Sequence, residues 1–172
     1  MDFYTACFVP KVSYPLPLCH FTEAELHDIQ RKAMSIIVPR CGYNRNTKRE
    51  VIYGPTGFGG AGFLELYDQQ GIGQVQTFMK HWRTNSVAGR LMKILLAWTN
   101  YSVGMGTSCL EDVTTPMPHL EAKWLTSLRR YLAKLDASLQ IDNVGIPPLE
   151  REHDCYIMDQ CIQSSMFKPA EI

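Results

Sequence analysis

From Leu120 to Leu139, apolar side chains recur every three or four residues: Leu120, Trp124, Leu125, Leu128, Tyr131, Leu132, Leu135 and Leu139. That spacing lines one face of a helix of 3.6 residues per turn, and a strand of period two cannot use it. Comparable stripes occur elsewhere. Leu26, Ile29, Ala33, Ile36 and Ile37 form one, and Leu64, Tyr67, Gly71, Val75, Phe78, Met79 and Trp82 a second. Leu91, Ile94, Leu95, Trp98 and Tyr101 form a third. Tyr156, Ile157, Cys161 and Ile162 form a last, shorter one, within a helix expected over Glu150–Ile162. No comparable run alternates apolar and polar residues. The pattern predicts an all-α fold, an irregular bundle of about five helices, with each stripe and its tryptophan (Trp82, Trp98, Trp124) turned toward the core.

Local chemistry sharpens the boundaries. Thr22 and Glu25 have the T-x-x-E spacing of a capping box, and Thr47 and Glu50 repeat it ahead of a short helix from Lys48 to Tyr53. Pro39 and Gly42 end the first long helix, Gly54 and Pro55 the short one, and Gly104 the one after Ser86. Gly71 and Gly73 interrupt their stripe, which predicts a short helix before Gln69 and a long one after it. Residues 1–21 hold three prolines, and Pro15 and Pro17 predict an extended N-terminal strap rather than a helix. The organisation expected is an extended lead-in over 1–21, a helical module over 22–140, and a linker with a final helix over 141–172.

The formal charge is zero, with 17 basic and 17 acidic side chains, but the signs are segregated. Residues 31–110 carry a net +7, while the segments before and after are acidic. Arg31 to Arg49 contains six basic residues and no carboxylate, and Gln69 to Leu110 contains no carboxylate at all. A basic centre of this kind suits a polyanionic partner even at neutral overall charge, and a solvated surface of mixed sign is the plain alternative. Arg45, Lys48 and Arg49, beside Asn44 and Asn46, form the densest donor cluster, a set suited to phosphate contacts without sequence readout. Helix-end charge and capping is the competing reading.

Gly57, Gly59 and Gly62 match G-x-G-x-x-G, but no buried strand precedes them and position 82 is tryptophan where an acidic residue would be needed, so a dinucleotide site is not expected. A weaker expectation is that Gly59, Gly60 and Gly62 present free N–H groups to a phosphate. His81, His119 and His153 have no neighbouring nucleophile in sequence, and Glu111–Asp112 is the one adjacent carboxylate pair considered for catalysis. The six cysteines contain no C-x-x-C and read as thiols, so neither a metal nor another cofactor is expected. No apolar run reaches the ~20 residues of a membrane span, and the N-terminus lacks the features of a signal peptide, so an intracellular location, nuclear or cytoplasmic, is expected with no membrane partner.

Several short motifs occur in order: YPLP at Tyr14–Pro17, GYNRNT at Gly42–Thr47, YGP at Tyr53–Pro55 and GGAGFLEL at Gly59–Leu66, followed by WR, WLTSLRRYL and REHDCYIMD. This order and spacing resembles the segment beyond the palm in eukaryotic retroelement reverse transcriptases, over nearly the whole chain. The resemblance implies a thumb and connection region, a helical module that grips a template–primer duplex, RNA–DNA or DNA, by its backbone. It also implies nucleic-acid contact by Arg45, Lys48, Arg49, Lys80 and Arg83, and a missing polymerase domain as a further partner. The F/Y-x-D-D motif of that family's palm is absent from the sequence, so no polymerase activity is expected. The alternative is a helical protein-interaction or structural remnant that binds no nucleic acid.

Overall fold

The computed structural model describes residues 4–117, 120–142 and 145–164. Among these the chain is helical throughout, with seven α-helices, short 3₁₀ and π turns and no strand. The all-α expectation holds, although the helix number is larger than expected. The chain divides into two compact units, Met1–Gln74 and Val75–Ile172.

The first unit begins with a π-helical turn, Tyr4–Phe8, that runs into α1, Val9–Ser13, and then a 3₁₀ turn, Leu16–Leu18. The extended strap expected over 1–21 is therefore not what forms. The prolines do not forbid these turns because they sit at their starts: Pro10 lies in the first turn of α1, and Pro15 and Pro17 open the 3₁₀ turn, where an N–H has no partner to lose. α2, Glu23–Arg40, starts as its sequence predicts: Glu25 N donates to Thr22 Oγ1, and Thr22 N donates to Glu25 Oε2 at 2.8 Å. α3, Arg49–Tyr53, is capped differently from expectation. Lys48 holds the N-cap position without a side-chain bond, while the preceding turn is closed by Thr47 N on Asn44 O and Asn46 N on Asn44 Oδ1. The core of this unit gathers Tyr4, Val9, Met34, Ile37, Val38, Ile52, Ala61 and Phe63.

The glycine-dense loop is a structural lock. Ala61 N, Phe63 N and Gly62 N donate to Val51 O, Ile52 O and Gly54 O, so the loop satisfies the carbonyls that the end of a five-residue helix leaves open. Gly60 lies so close to Gly54 that a Cβ there would sit 2.1 Å from Gly54 O, and only hydrogen fits.

α4, Leu66–Arg83, is one continuous helix and not the short and long pair expected. Gly71 is buried, and a Cβ on Gly73 would come within 2.6 Å of the Pro17 ring, so tight packing accounts for a glycine there. Its N-terminus is held by buried amides. Gln30 Oε1 accepts from Leu66 N at 3.0 Å, and Gln30 Nε2 donates to Leu64 O at 2.8 Å. Gln70 bonds both backbone groups of Phe21, and Gln74 Nε2 donates to Cys19 O at 2.7 Å.

In the second unit α5, Val87–Val103, is capped by Ser86, whose Oγ accepts from Gly89 N, and closed by Gly104 in the left-handed region. Its sequence-predicted facing is inverted. The side chains of the apolar stripe point outward: Leu91, Ile94, Trp98 and Tyr101 are 61–65% exposed and Leu95 37%, and Val87, outside the stripe, is exposed beside them. The buried face is Gly89, Leu96, Thr99, Asn100 and Val103. Asn100 explains why: its Oδ1 accepts from Cys109 N at 3.1 Å, tying α5 to the following loop. Trp98 is thus a surface residue that stacks on Tyr101, while Trp82 is half-buried against Phe78 and Trp124 is half-buried beside the core. α6, Lys123–Lys134, buries Leu125, Leu128, Tyr131 and Leu132 as its stripe predicts, and stops short of Leu135. α7, Ile157–Gln163, starts later than Glu150 and leaves Ile157 exposed.

Candidate nucleic-acid interface

One face of α2 presents His27, Arg31, Met34, Ser35 and Val38, which are three or four residues apart and so stand one above another. The turn after α2 brings Arg45 and Thr47 against this face, and α3 adds Arg49, Ile52 and Tyr53. Together they enclose a cavity of about 250 Å³. Its floor is apolar, from Met34, Val38 and Ile52, and its rim is cationic. Among the described residues no carboxylate lines it.

Arg45 and Arg49, both exposed, face this one cavity, and neither is ion-paired among the described residues. Arg49 Nη1 donates to His27 Nε2. Arg31 is held by Asp28 at 3.1 Å, with both side chains well exposed, so this pair is weakly bound in water. Lys48 is exposed one residue before α3 and lies outside the cavity lining. Lys80 and Arg83 belong to the second unit, exposed in the last turns of α4, where positive charge complements the helix dipole.

Tyr53 is half-buried at the cavity, and burial raises its hydroxyl pKa, with Glu65 adding to the rise and Arg49 opposing it. Tyr43 packs edge-on to Phe63 as a core residue. His27, Arg31 and Ser35 join the candidate residues although the sequence motifs did not single them out, and Thr47, read from the sequence as a helix cap, lies with them. Their signal was the 27–31–35 spacing on a helix that also carries the start of the carboxylate-free basic run.

The glycine loop contributes no phosphate donors. Gly59 N donates to Thr56 O, Gly60 N to Pro55 O and Gly62 N to Gly54 O, so all three N–H groups are taken by the chain itself. Of the carboxylate pair in the second unit, Asp112 is committed to its own loop, while Glu111 is exposed. Asp112 accepts from the N–H and hydroxyl groups of Thr114 and Thr115. Burial opposes its ionisation, but the bonds from Thr115 and Thr114 outweigh that and hold its pKa below the usual carboxylate range. Arg129 binds the same loop through backbone carbonyls, Nε to Cys109 O at 3.0 Å and Nη2 to Asp112 O at 3.0 Å and to Thr115 O. These groups hold a loop in shape.

His81 is half-buried, and its Nδ1 has no hydrogen-bond partner among the described residues. His153 is exposed, and His119 lies outside the described residues. Among the described residues no three His, Cys, Asp or Glu side chains converge as metal ligands, and no helix is long and apolar enough to cross a membrane. No family model, curated protein or solved structure matches this chain.

Proposed function

We propose that this chain is a non-catalytic, thumb-like helical module of the retroelement reverse-transcriptase type, which binds nucleic-acid backbone weakly and without sequence preference. The observation that carries the reading is the convergence of Arg31, Arg45 and Arg49 with His27 on one cavity that no carboxylate lines among the described residues. Guanidinium groups match phosphate oxygens with paired N–H donors and remain charged at any physiological pH. The motif order described above, from YPLP to GGAGFLEL, supplies the kind of polyanion. Lys48 extends the cationic surface beyond the rim, and Lys80 and Arg83 add charge in the second unit.

The test is fluorescence anisotropy of a labelled RNA–DNA hybrid and of the DNA duplex of the same sequence, from about 50 to about 200 mM salt. With about three phosphates neutralised, the log–log slope is about −2.7, and affinity falls roughly 40-fold over that range. The double variant Arg45→Ala/Arg49→Ala loses about two units of slope, equally for unrelated sequences. Absence of binding at the lower salt, or binding indifferent to salt, removes the reading.

A second reading, a helical protein-interaction module, is favoured by α5. This helix buries one side in its own unit and exposes a second apolar side over four turns, from Val87 to Tyr101. A helix apolar on both sides is normally covered on both. Concentration-dependent self-association in light scattering that Trp98→Ser abolishes, with no shift of either duplex, selects this reading over the first.

A further inference from the structure

We propose that the cavity between α2 and α3 is a receptor for a phosphomonoester, the terminal phosphate of a nucleic-acid strand or of a mononucleotide, rather than for a phosphodiester within a chain. This deepens the backbone-binding reading and rests on the same cationic site.

Shape argues first. A duplex backbone is followed by charges spread along an open surface, whereas these residues close around about 250 Å³, just below the range typical of small-molecule pockets. An internal phosphate carries ester links on two sides and passes over such a cavity. A terminal phosphate has one link and three free oxygens, and can point into it.

Charge argues next. Arg45 and Arg49 have no carboxylate partner among the described residues, and Arg31 is shared with Asp28. The cavity thus holds an excess of about two positive charges, which matches a phosphomonoester, at about −1.5 to −2 near neutrality, better than a diester at −1. The Thr47 hydroxyl lies among these groups as a further donor, whereas the Ser35 hydroxyl already donates to Lys32 O at 2.8 Å and remains an acceptor. Arg49 Nη1 donates to His27 Nε2, so a bound phosphate would compete with an imidazole rather than a carboxylate for that guanidinium.

The apolar part argues last. Met34, Val38 and Ile52 form a buried apolar floor beneath the arginines, on which the carbon skeleton of a phosphate-bearing ligand can rest. The half-buried ring of Tyr53 gives a flat surface for the sugar or base that carries the phosphate.

The experiment compares one short single-stranded oligonucleotide in three forms, with a 5′-phosphate, with a 3′-phosphate and with hydroxyls at both ends, by anisotropy against the full chain. Adenosine monophosphate and adenosine serve as competitors. The expected result is at least about tenfold tighter binding of a phosphorylated form, lost in both Arg45→Gln/Arg49→Gln and Arg31→Gln with an unchanged circular dichroism spectrum. Displacement by the monophosphate but not by adenosine assigns the site to mononucleotides as well. Tight binding of a phosphorylated end without such displacement assigns it to strand ends alone. Equal affinity for all three oligonucleotides overturns the proposal and leaves salt-dependent duplex binding intact. A phosphate preference that survives the arginine substitutions also overturns it. Loss of duplex binding while the phosphate preference persists overturns the backbone reading alone.

Discussion

Gln30 is the side chain on which the first unit's geometry most depends, and its replacement by methionine isolates why. Methionine has nearly the same length and volume, so packing is kept and only the amide is lost. Gln30 is 2% exposed and serves two backbone groups at the start of α4. Leu66 N has Gln30 Oε1 as its acceptor, and a first-turn N–H has no partner within its own helix. Gln30→Met leaves that donor buried and unsatisfied, at about 1–3 kcal/mol. Leu64 O retains the Tyr4 hydroxyl at 2.7 Å, so losing its second bond adds only about 1 kcal/mol. The total, about 3 kcal/mol, is a large share of the 5–15 kcal/mol that holds a typical domain. The control is Tyr4→Phe, which removes one of the two donors to Leu64 O and a long contact to Gln30 Nε2, leaves every backbone N–H its partner and costs about 1 kcal/mol. Urea denaturation followed by circular dichroism gives both values from midpoints at constant slope. If Gln30→Met costs no more than Tyr4→Phe, the amide is not the clamp described here.

Two further outcomes concern the second unit. Arg129→Met removes a charged donor from three backbone carbonyls, those of Cys109, Asp112 and Thr115, and destabilises by about 2–3 kcal/mol in the same urea assay, whereas the neighbouring exposed Arg130→Met stays within about 0.5 kcal/mol. Burial pushes the Cys109 thiol up to about 11, against an ordinary value of 9.0. Its contribution to stability is therefore fully present below pH 9.0 and is lost between 9.0 and about 11, where only the unfolded chain can ionise it. Cys109→Ala flattens the stability profile across that window, and in the native chain the exposed Cys7 and Cys155 react with a thiol reagent long before Cys109 does.

The parts of this fold that were legible in the sequence are those in which a local rule has one answer. The Thr22–Glu25 box caps α2 because both partners lie within one turn, and α6 buries the stripe its spacing marks because its other face is polar. α5 shows where periodicity runs out. Both of its sides are largely apolar, so spacing announces a helix without saying which side turns inward, and the deciding contact, Asn100 with Cys109, is a polar one. The N-terminal prolines misled for a different reason: a proline in a first turn and one in mid-helix read alike until the boundary is known. At the candidate site Arg45 and Arg49 stood out as a basic run. His27 and Arg31 did not, because they join them only through the turn that folds α3 back along α2.

That dependence makes the cavity sensitive to a residue that carries no charge. α3 has five residues, too few to persist on its own, and it brings Arg49, Ile52 and Tyr53 to the cavity. What holds it is the returning glycine loop, through the bonds to Val51 O, Ile52 O and Gly54 O. Those bonds require Gly60 and Gly54 to approach closely enough that a Cβ at position 60 would meet Gly54 O at 2.1 Å, against backbone that has no flexible end to move aside. Gly60→Ala therefore displaces the loop or the end of α3, at about 2 kcal/mol or more by analogy with overpacked cores. Its consequence for ligands follows from geometry, since Arg49 shifts relative to Arg31 and Arg45 with no change in net charge. Affinity for the phosphorylated oligonucleotide falls about tenfold, while the salt dependence of what remains is preserved, because the cations are all still there. Gly57→Ala in the same loop is the matched control, since nothing lies within 4 Å of a Cβ at that position, and it leaves binding unchanged. Should Gly60→Ala bind as the native chain does, the cavity would not be held by the loop, and the arginines would act as independent surface charges.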